Sequence, residues 1–199
     1  MKILLIRHGQ TDWNLNHRFQ GHSDVPLNET GRRQAGQLAE RLTSFNFDAV
    51  YSSDLSRAQE TAEIIAVSHQ LPVTTDLRWR ELSFGKWEGL MYPEIQLEAR
   101  DLLAQWETDP EHIPPPDGET LGQLAARVGF GMSALLAKHE QDTVVLVAHG
   151  GSLQVLICLA LRLSPSNYWK FSLSPASISE IACHPAGAIL NSLNDTNHL

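Results

Sequence analysis

Two stretches of the chain end in the same way. Residues 4–9 read LLIRHG and residues 145–150 read VLVAHG: an apolar run, then a histidine, then a glycine. Ligands of α/β proteins bind at the carboxyl ends of parallel strands, so His8 and His149 are expected to meet on one sheet edge. A third run, DAVYSS at 48–53, carries Arg57 just beyond its end. Arg7, His8, Arg57 and His149 would then form a cationic cluster inside a chain whose formal net charge is -8. Such a cluster is costly unless an anion occupies it, the arginine fork matches phosphate oxygens in shape and charge, and helix N-termini after Gly9 and Gly151 are expected to add backbone donors. A neutral imidazole, with a reference pKa of about 6.5, is a suitable nucleophile for a phosphoryl group. The second imidazole can bind an oxygen that gains charge in the transition state. An alkoxide leaving group also needs an acid. Glu81, in RELSFGKWEG, is the best placed candidate, and Glu88 is its nearest rival.

The elements that must position these groups follow from pattern. Residues 2–6, 47–53, 72–79 and 143–151 read as strands, and 177–183 and 188–193 as late strands. Helical spacing of apolar residues marks 28–42, 54–68, 120–139 and 152–161, with Asn28 or Thr30, Asp54 or Ser56, and Thr120 as caps. Alternating strand and helix points to a three-layer α/β/α sandwich with a mostly parallel central sheet. Residues 1–199 are expected to form a single domain. The stretch of about 82–119, with Trp87, Trp106 and Pro114-Pro115-Pro116, reads as a helical and loop insertion covering the site. Trp79, Trp87, Trp106 and Trp169 are read as packing residues, with the lining of a base-shaped pocket as the alternative for Trp87 or Trp106. Histidines other than His8, His149 and His22 are read as surface or loop groups.

Composition excludes several classes. At 42% hydrophobic and 19% charged, the chain is ordinary globular material. The acidic balance and the lack of a Lys/Arg run argue against nucleic acid. The longest apolar stretch, SLQVLICLALRL, is too short to span a bilayer, and the amino terminus does not read as a signal peptide, so a cytoplasmic setting is expected. The two cysteines, Cys158 and Cys183, make neither a disulfide framework nor a zinc site. No HExxH or paired-Cys spacing is present, so neither a metal nor a cofactor is expected. An α/β-hydrolase would need a G-x-S-x-G elbow, which the chain lacks.

Four blocks, LIRHGQTDWN, SSDLSRAQETAEI, RELSFGKWEG and VLVAHGGSL, together resemble the histidine phosphatase family, in its phosphoglycerate-mutase-like branch. The resemblance covers nearly the whole chain in the family's order. It implies a phosphohistidine on His8, phosphate held by Arg7, Asn14, Arg57 and His149, and Glu81 as proton donor and later base. Gly9 is expected to let the backbone pass close to the phosphate. Arg100 is the only arginine between Glu81 and Thr120, which favours hydrolysis over phosphoglycerate isomerisation. Within the family, P-DGET and AHGGSLQVLIC resemble α-ribazole-5'-phosphate phosphatases. The expected partners are a small phosphorylated metabolite and inorganic phosphate. A homodimer is compatible with the chain but no pattern specifies one. Phosphoserine phosphatases, broad-specificity phosphatases, cofactor-dependent phosphoglycerate mutases and a non-catalytic binding module on the same fold remain alternatives.

Overall fold

The computed structural model describes residues 1–199. Six strands form one sheet: β1 (Lys2–Arg7), β2 (Ala49–Ser52), β3 (Val73–Thr75), β4 (Thr143–Ala148), β5 (Ile178–His184) and β6 (Gly187–Asp195), in the order β3-β2-β4-β1-β5-β6. The first four are mutually parallel, and β5 and β6 add an antiparallel edge. The expected three-layer α/β sandwich is the observed fold. β1 and β4 read as continuous apolar runs because both faces of a parallel sheet are covered. Side chains still alternate. Leu4, Ile6, Val145 and Val147 pack with Leu38, Leu42, Ala58, Ala62 and Ile65 on one face. Ile3, Leu5, Val144 and Leu146 pack with Leu124, Val128, Leu153 and Leu156 on the other. Each fully buried Leu or Ile contributes roughly 1.5–3 kcal/mol.

Seven α-helices surround the sheet: α1 (Asp12–Leu15), α2 (Glu29–Leu42), α3 (Ser56–Ala66), α4 (Tyr92–Glu98), α5 (Arg100–Thr108), α6 (Leu121–Lys138) and α7 (Gly150–Ala160). Caps set several boundaries. Asn28 accepts from the Gly31 N–H at 2.9 Å and starts α2. Thr120 and Gln123 form a reciprocal capping box at the start of α6. Neither expected cap serves α3. Its N-cap position is Leu55, without a side-chain bond, and Asp54 instead pairs with Arg80. No helix is long and apolar enough to cross a membrane.

Three further sequence expectations about elements and burial need correction. The strand expected over 72–79 stops at Thr75, because the Asp76 carboxylate accepts from the Arg78 N–H and opens a 3-10 turn at Leu77–Trp79. Trp79, Trp87 and Trp106 are buried, but Trp169 is 69% exposed and is not a packing residue. His139 is buried, not superficial. Lys138 Nζ donates to the Tyr51 hydroxyl oxygen at 2.9 Å, Tyr51 donates to His139 Nε2 at 2.9 Å, and His139 Nδ1–H donates to Asp142 at 2.7 Å. The carboxylate only accepts and the ammonium only donates, so this chain runs in one direction.

Between β3 and α6, a 3-10 turn at Gly85–Trp87 leads into α4 and α5. Trp87 meets Trp106 edge-to-face at 5.6 Å. Trp87, Ile95, Leu103 and Trp106 share one apolar cluster with Leu121 and Leu153. The stretch is thus fused to the α6/α7 side of the sheet.

Candidate active site

The register of β1 and β4 brings the two histidines together. Arg7 pairs with Ala148, and the His8 N–H continues the ladder to the Ala148 carbonyl at 3.0 Å. The residues that follow in each strand are therefore neighbours, and the rings of His8 and His149 lie 5.1 Å apart at 62°. His8 Nδ1 is 2.6 Å from the Gly9 carbonyl. A carbonyl only accepts, so Nδ1 carries the proton and the Nε2 lone pair is free. His149 has the opposite tautomer. Its Nδ1 accepts from Arg57 Nε at 3.2 Å, which leaves the proton on Nε2, a buried donor without a protein partner. A lone pair and an N–H thus stand on adjacent rings.

Arg57 has no exposed surface. Besides His149, it donates to the Ser23 and Gly21 carbonyls, both at 2.8 Å. The 21–23 loop and the start of α3 are thereby held to the edge of the sheet. Arg7 donates to the Leu173 carbonyl at 2.5 Å, and its Nε is a second buried donor without a protein partner. Unpaired buried donors are costly, and an oxyanion is the group that satisfies both.

These surroundings fix the charge state. Burial, then Arg57 and Arg7, push the His8 pKa well below its usual value despite the Gly9 bond. Burial, then Arg57 and His8, do the same to His149. Burial lowers Arg57 to about 10 against the attraction of Glu81. Both imidazoles are neutral near pH 7 while both guanidinium groups keep their charge.

Glu81 comes from far away in sequence to the same edge. Its carboxylate accepts from the Gly151 N–H at 3.0 Å and the Ser152 N–H at 3.2 Å, and so takes the capping position of α7. A Cβ on Gly151 would fall 2.5 Å from Glu81 Oε1, so only glycine leaves room for this contact. Helix amides after Gly151 were expected to face phosphate directly; here the amides of Gly151 and Ser152 hold Glu81. The backbone of Glu81 is fixed independently. Its carbonyl accepts from Arg127 Nη2 at 2.7 Å and His22 Nε2 at 2.9 Å, which uses both lone pairs. Arg127 also reaches the Arg78 and Arg80 carbonyls and the Glu119 carboxylate. All five of its donors are engaged.

Glu88 has a different place. Its carboxylate accepts from the His22, Ser23 and Phe84 N–H groups and from the Ser23 hydroxyl. It ties the 21–23 loop to the turn after Glu81. Asn14 is fixed by the Thr11 capping box: its Oδ1 accepts from the Thr11 N–H at 3.1 Å, leaving the amide NH₂ free to donate. Glycine at position 9 is also required by packing, since a Cβ there would lie 2.5 Å from the Gly31 carbonyl of α2. After Gly9 the chain forms only the four-residue α1, starting at Asp12, so the helix amides expected there are not those of a long helix. Arg127 was not singled out from the sequence; its one signal is a cation inside the apolar face bearing Leu124 and Val128.

No group of three or more His, Cys, Asp or Glu side chains could hold a metal ion. What the edge can do is bind an oxyanion with two arginines and one imidazole, present a second imidazole to it, and hold a carboxyl group alongside.

Known proteins share this arrangement of elements. The chain is 32% identical over 199 residues, all of its own length and 94% of the relative's, to phosphoserine phosphatase 1 of Hydrogenobacter thermophilus. It is 41% identical over 160 residues, 78% of this chain and 69% of the relative, to phosphoglycerate mutase-like protein 4 of Arabidopsis thaliana. The crystal structure of the α-ribazole phosphatase of Shigella flexneri superimposes with a TM-score of 0.91 at 31% identity, covering 98% of this chain and 96% of that one. Residues 3–196 match the model of the histidine phosphatase superfamily, branch 1, and with its two strand-end histidines side by side on the sheet edge the chain belongs to that family of phosphatases.

Proposed function

We propose that the protein hydrolyses a small phosphomonoester through a phosphohistidine formed on His8. The tautomer of His8 carries this reading: Nδ1–H is bonded to the Gly9 carbonyl, and the Nε2 lone pair is free in a neutral ring. In the first step Nε2 attacks phosphorus as the bond to the bridging oxygen breaks. Glu81 gives its proton to that oxygen and the alcohol leaves. In the second step water attacks the phosphoryl group, its proton passes to Glu81, and His8 is released with inorganic phosphate. Arg7, Arg57, His149 Nε2–H and the Asn14 amide hold the three non-bridging oxygens, with more force as their charge grows. Residues 1–199 act as one domain, with 82–119 covering the site. The likeness to the Shigella enzyme supports α-ribazole 5'-phosphate as the metabolite.

Trapping tests this. Protein quenched during turnover should carry an alkali-stable, acid-labile label, absent from His8→Ala. Label that persists in that variant removes His8 from the role.

The mutase-like plant relative favours a second reading, phosphoglycerate isomerisation. Against it, Arg100 is exposed at the start of α5, so the 82–119 stretch offers no buried arginine for the phosphoglycerate carboxylate.

A further inference from the structure

The ring of His8 is oriented by one peptide, that between Gly9 and Gln10, whose oxygen lies 2.6 Å from Nδ1. Glycine has no side chain to restrict its torsions, so this peptide swings unless something else holds it. Two side chains from neighbouring helices do. The N–H of the same peptide, that of Gln10, donates to Gln34 Oε1 of α2 at 2.9 Å. The peptide on the other side of Gly9 is held as well. The Gly9 N–H donates to Thr61 Oγ1 of α3 at 3.2 Å, and the His8 carbonyl accepts from the Ala176 N–H at 3.1 Å. The Thr61 hydroxyl, fully buried, donates in turn to the Arg57 carbonyl at 2.7 Å.

Close backbone contact makes the arrangement possible. A Cβ on Gly31 would strike the Gln10 carbonyl, just as one on Gly9 would strike Gly31. The first turn of α2 therefore closes onto the segment after His8, and the Asn28 N–H donates to the Gln10 carbonyl at 3.0 Å. Gln34 stands three residues beyond Gly31, on the same helix face, and so reaches the Gln10 N–H. Hydrogen bonds that share one peptide polarise each other. Acceptance of the Gln10 proton by Gln34 makes the Gly9 oxygen a stronger acceptor for Nδ1–H, which sends electron density to Nε2. A carboxylate behind a catalytic histidine fixes its tautomer in the same way; here a peptide held by a glutamine takes that place.

We infer that Gln34, seconded by Thr61, is a positioning residue for the nucleophile, acting on His8 through the peptides that flank Gly9. The inference rests on the phosphatase reading and extends its machinery into α2 and α3.

Paired variants test it. Gln34→Met removes the acceptor at similar length, and Gln34→Glu keeps an acceptor oxygen. Thr61→Val keeps the shape and removes the hydroxyl, which Thr61→Ser restores. Ring-nitrogen NMR at about pH 8, where unperturbed imidazoles are neutral, reads the tautomer without turnover; the His8 signals are those absent from His8→Gln. The parent should show a protonated Nδ1 and a bare Nε2. Gln34→Met should move both signals towards mixed-tautomer positions, and Gln34→Glu should leave them in place. In rapid-quench labelling, Gln34→Met should slow phosphorylation of His8 roughly ten- to a hundredfold, for an alkyl and an aryl phosphate alike, since attack is common to both. Thr61→Val should act in the same direction with a smaller effect, and Thr61→Ser should recover the rate. Binding of inorganic phosphate should be unchanged in all four. Unchanged His8 signals or an unchanged phosphorylation rate in Gln34→Met overturn the inference. So does phosphate binding that weakens in step with the rate, which marks Gln34 as a support of the fold alone. Gln34-dependent His8 signals in a protein that forms no phosphohistidine would keep the hold on the ring and reject the phosphatase chemistry.

Discussion

Neutral histidines at the strand ends make stability depend on pH in a calculable way. Burial and the two guanidinium groups lower the folded-state pKa of both His8 and His149, while the unfolded chain keeps the reference of about 6.5. Below that pH the unfolded chain binds protons that the folded chain refuses. Stability is full above about pH 7 and falls as the pH drops, by up to about 1.4 kcal/mol per pH unit for each ring. From pH 7.5 to 5.5 each histidine should remove up to about 1.4 kcal/mol, and the pair up to about 2.7 kcal/mol. The window ends above the range of the carboxylates lowered by Arg80, Arg78 or Ser166, namely Asp54, Asp76 and Glu111. His22, also lowered, adds to the loss, whereas exposed His112 beside Asp109 is raised and opposes it. Urea unfolding in phosphate-free buffers at fixed ionic strength measures the effect. His8→Gln and His149→Gln should each remove about half of the strand-end contribution, and the double variant nearly all of it. If a single variant keeps the parent's pH dependence, that histidine titrates alike in the folded and unfolded chains, and the effect of burial and the guanidinium groups on it is refuted. If His8→Gln instead loses stability more steeply than the parent as the pH falls, His8 gains a proton on folding and has no lone pair for phosphorus, which would undo the nucleophile assignment.

Other outcomes follow from the same geometry. Glu81→Gln should slow an alkyl phosphate on the order of 10²–10⁴-fold and an aryl phosphate far less, because the aryl leaving group needs less protonation; equal slowing of both would place the acid elsewhere. Glu88→Gln should lower stability and weaken phosphate binding for both substrates alike, since Glu88 holds the loop whose carbonyls bind Arg57. Arg127→Lys supplies three donors where five are used, so alkyl phosphate turnover should fall roughly ten- to a hundredfold and aryl turnover less; a uniform loss on both would show a purely structural role. Exhaustive EDTA treatment should leave kcat unchanged, as Arg7 and Arg57 already face the phosphate charge. Assays with 3-phosphoglycerate, with and without the 2,3-bisphosphate, should show hydrolysis well above isomerisation.

The strand-end chemistry was legible because two properties coincide in sequence. An apolar run that needs both faces covered forms an interior parallel strand, and the next residues then fall on the ligand-binding edge. His8, His149 and Arg7 follow from that alone, and Arg57 from its place one turn beyond β2. Glu81 was legible as a residue but not as the cap of α7, since that contact joins segments 70 residues apart. Arg127 carried almost no signal, because three of its five bonds go to backbone carbonyls of a turn, and carbonyls have no letter. Trp169 and His139 were misread for one reason. Residue type sets a tendency to be buried, whereas the neighbours that cover a side chain are decided by the tertiary path. The short β3 was misread because Asp76 closes a turn with its own side chain, and local polar bonding overrides β propensity there.

The two halves of α6 are tied to different things. In its second turn Arg127 grips the backbone of Glu81. At its far end, Lys138 and His139 are bound through Tyr51 and Asp142 to the base of the sheet. The acid is thus referenced to the central scaffold through a rigid strut, and not through α4 and α5. On the proposed reading the hold on the acid does not pass through α4 and α5, so substitutions on the exposed faces of 92–108 should leave the transfer step unchanged.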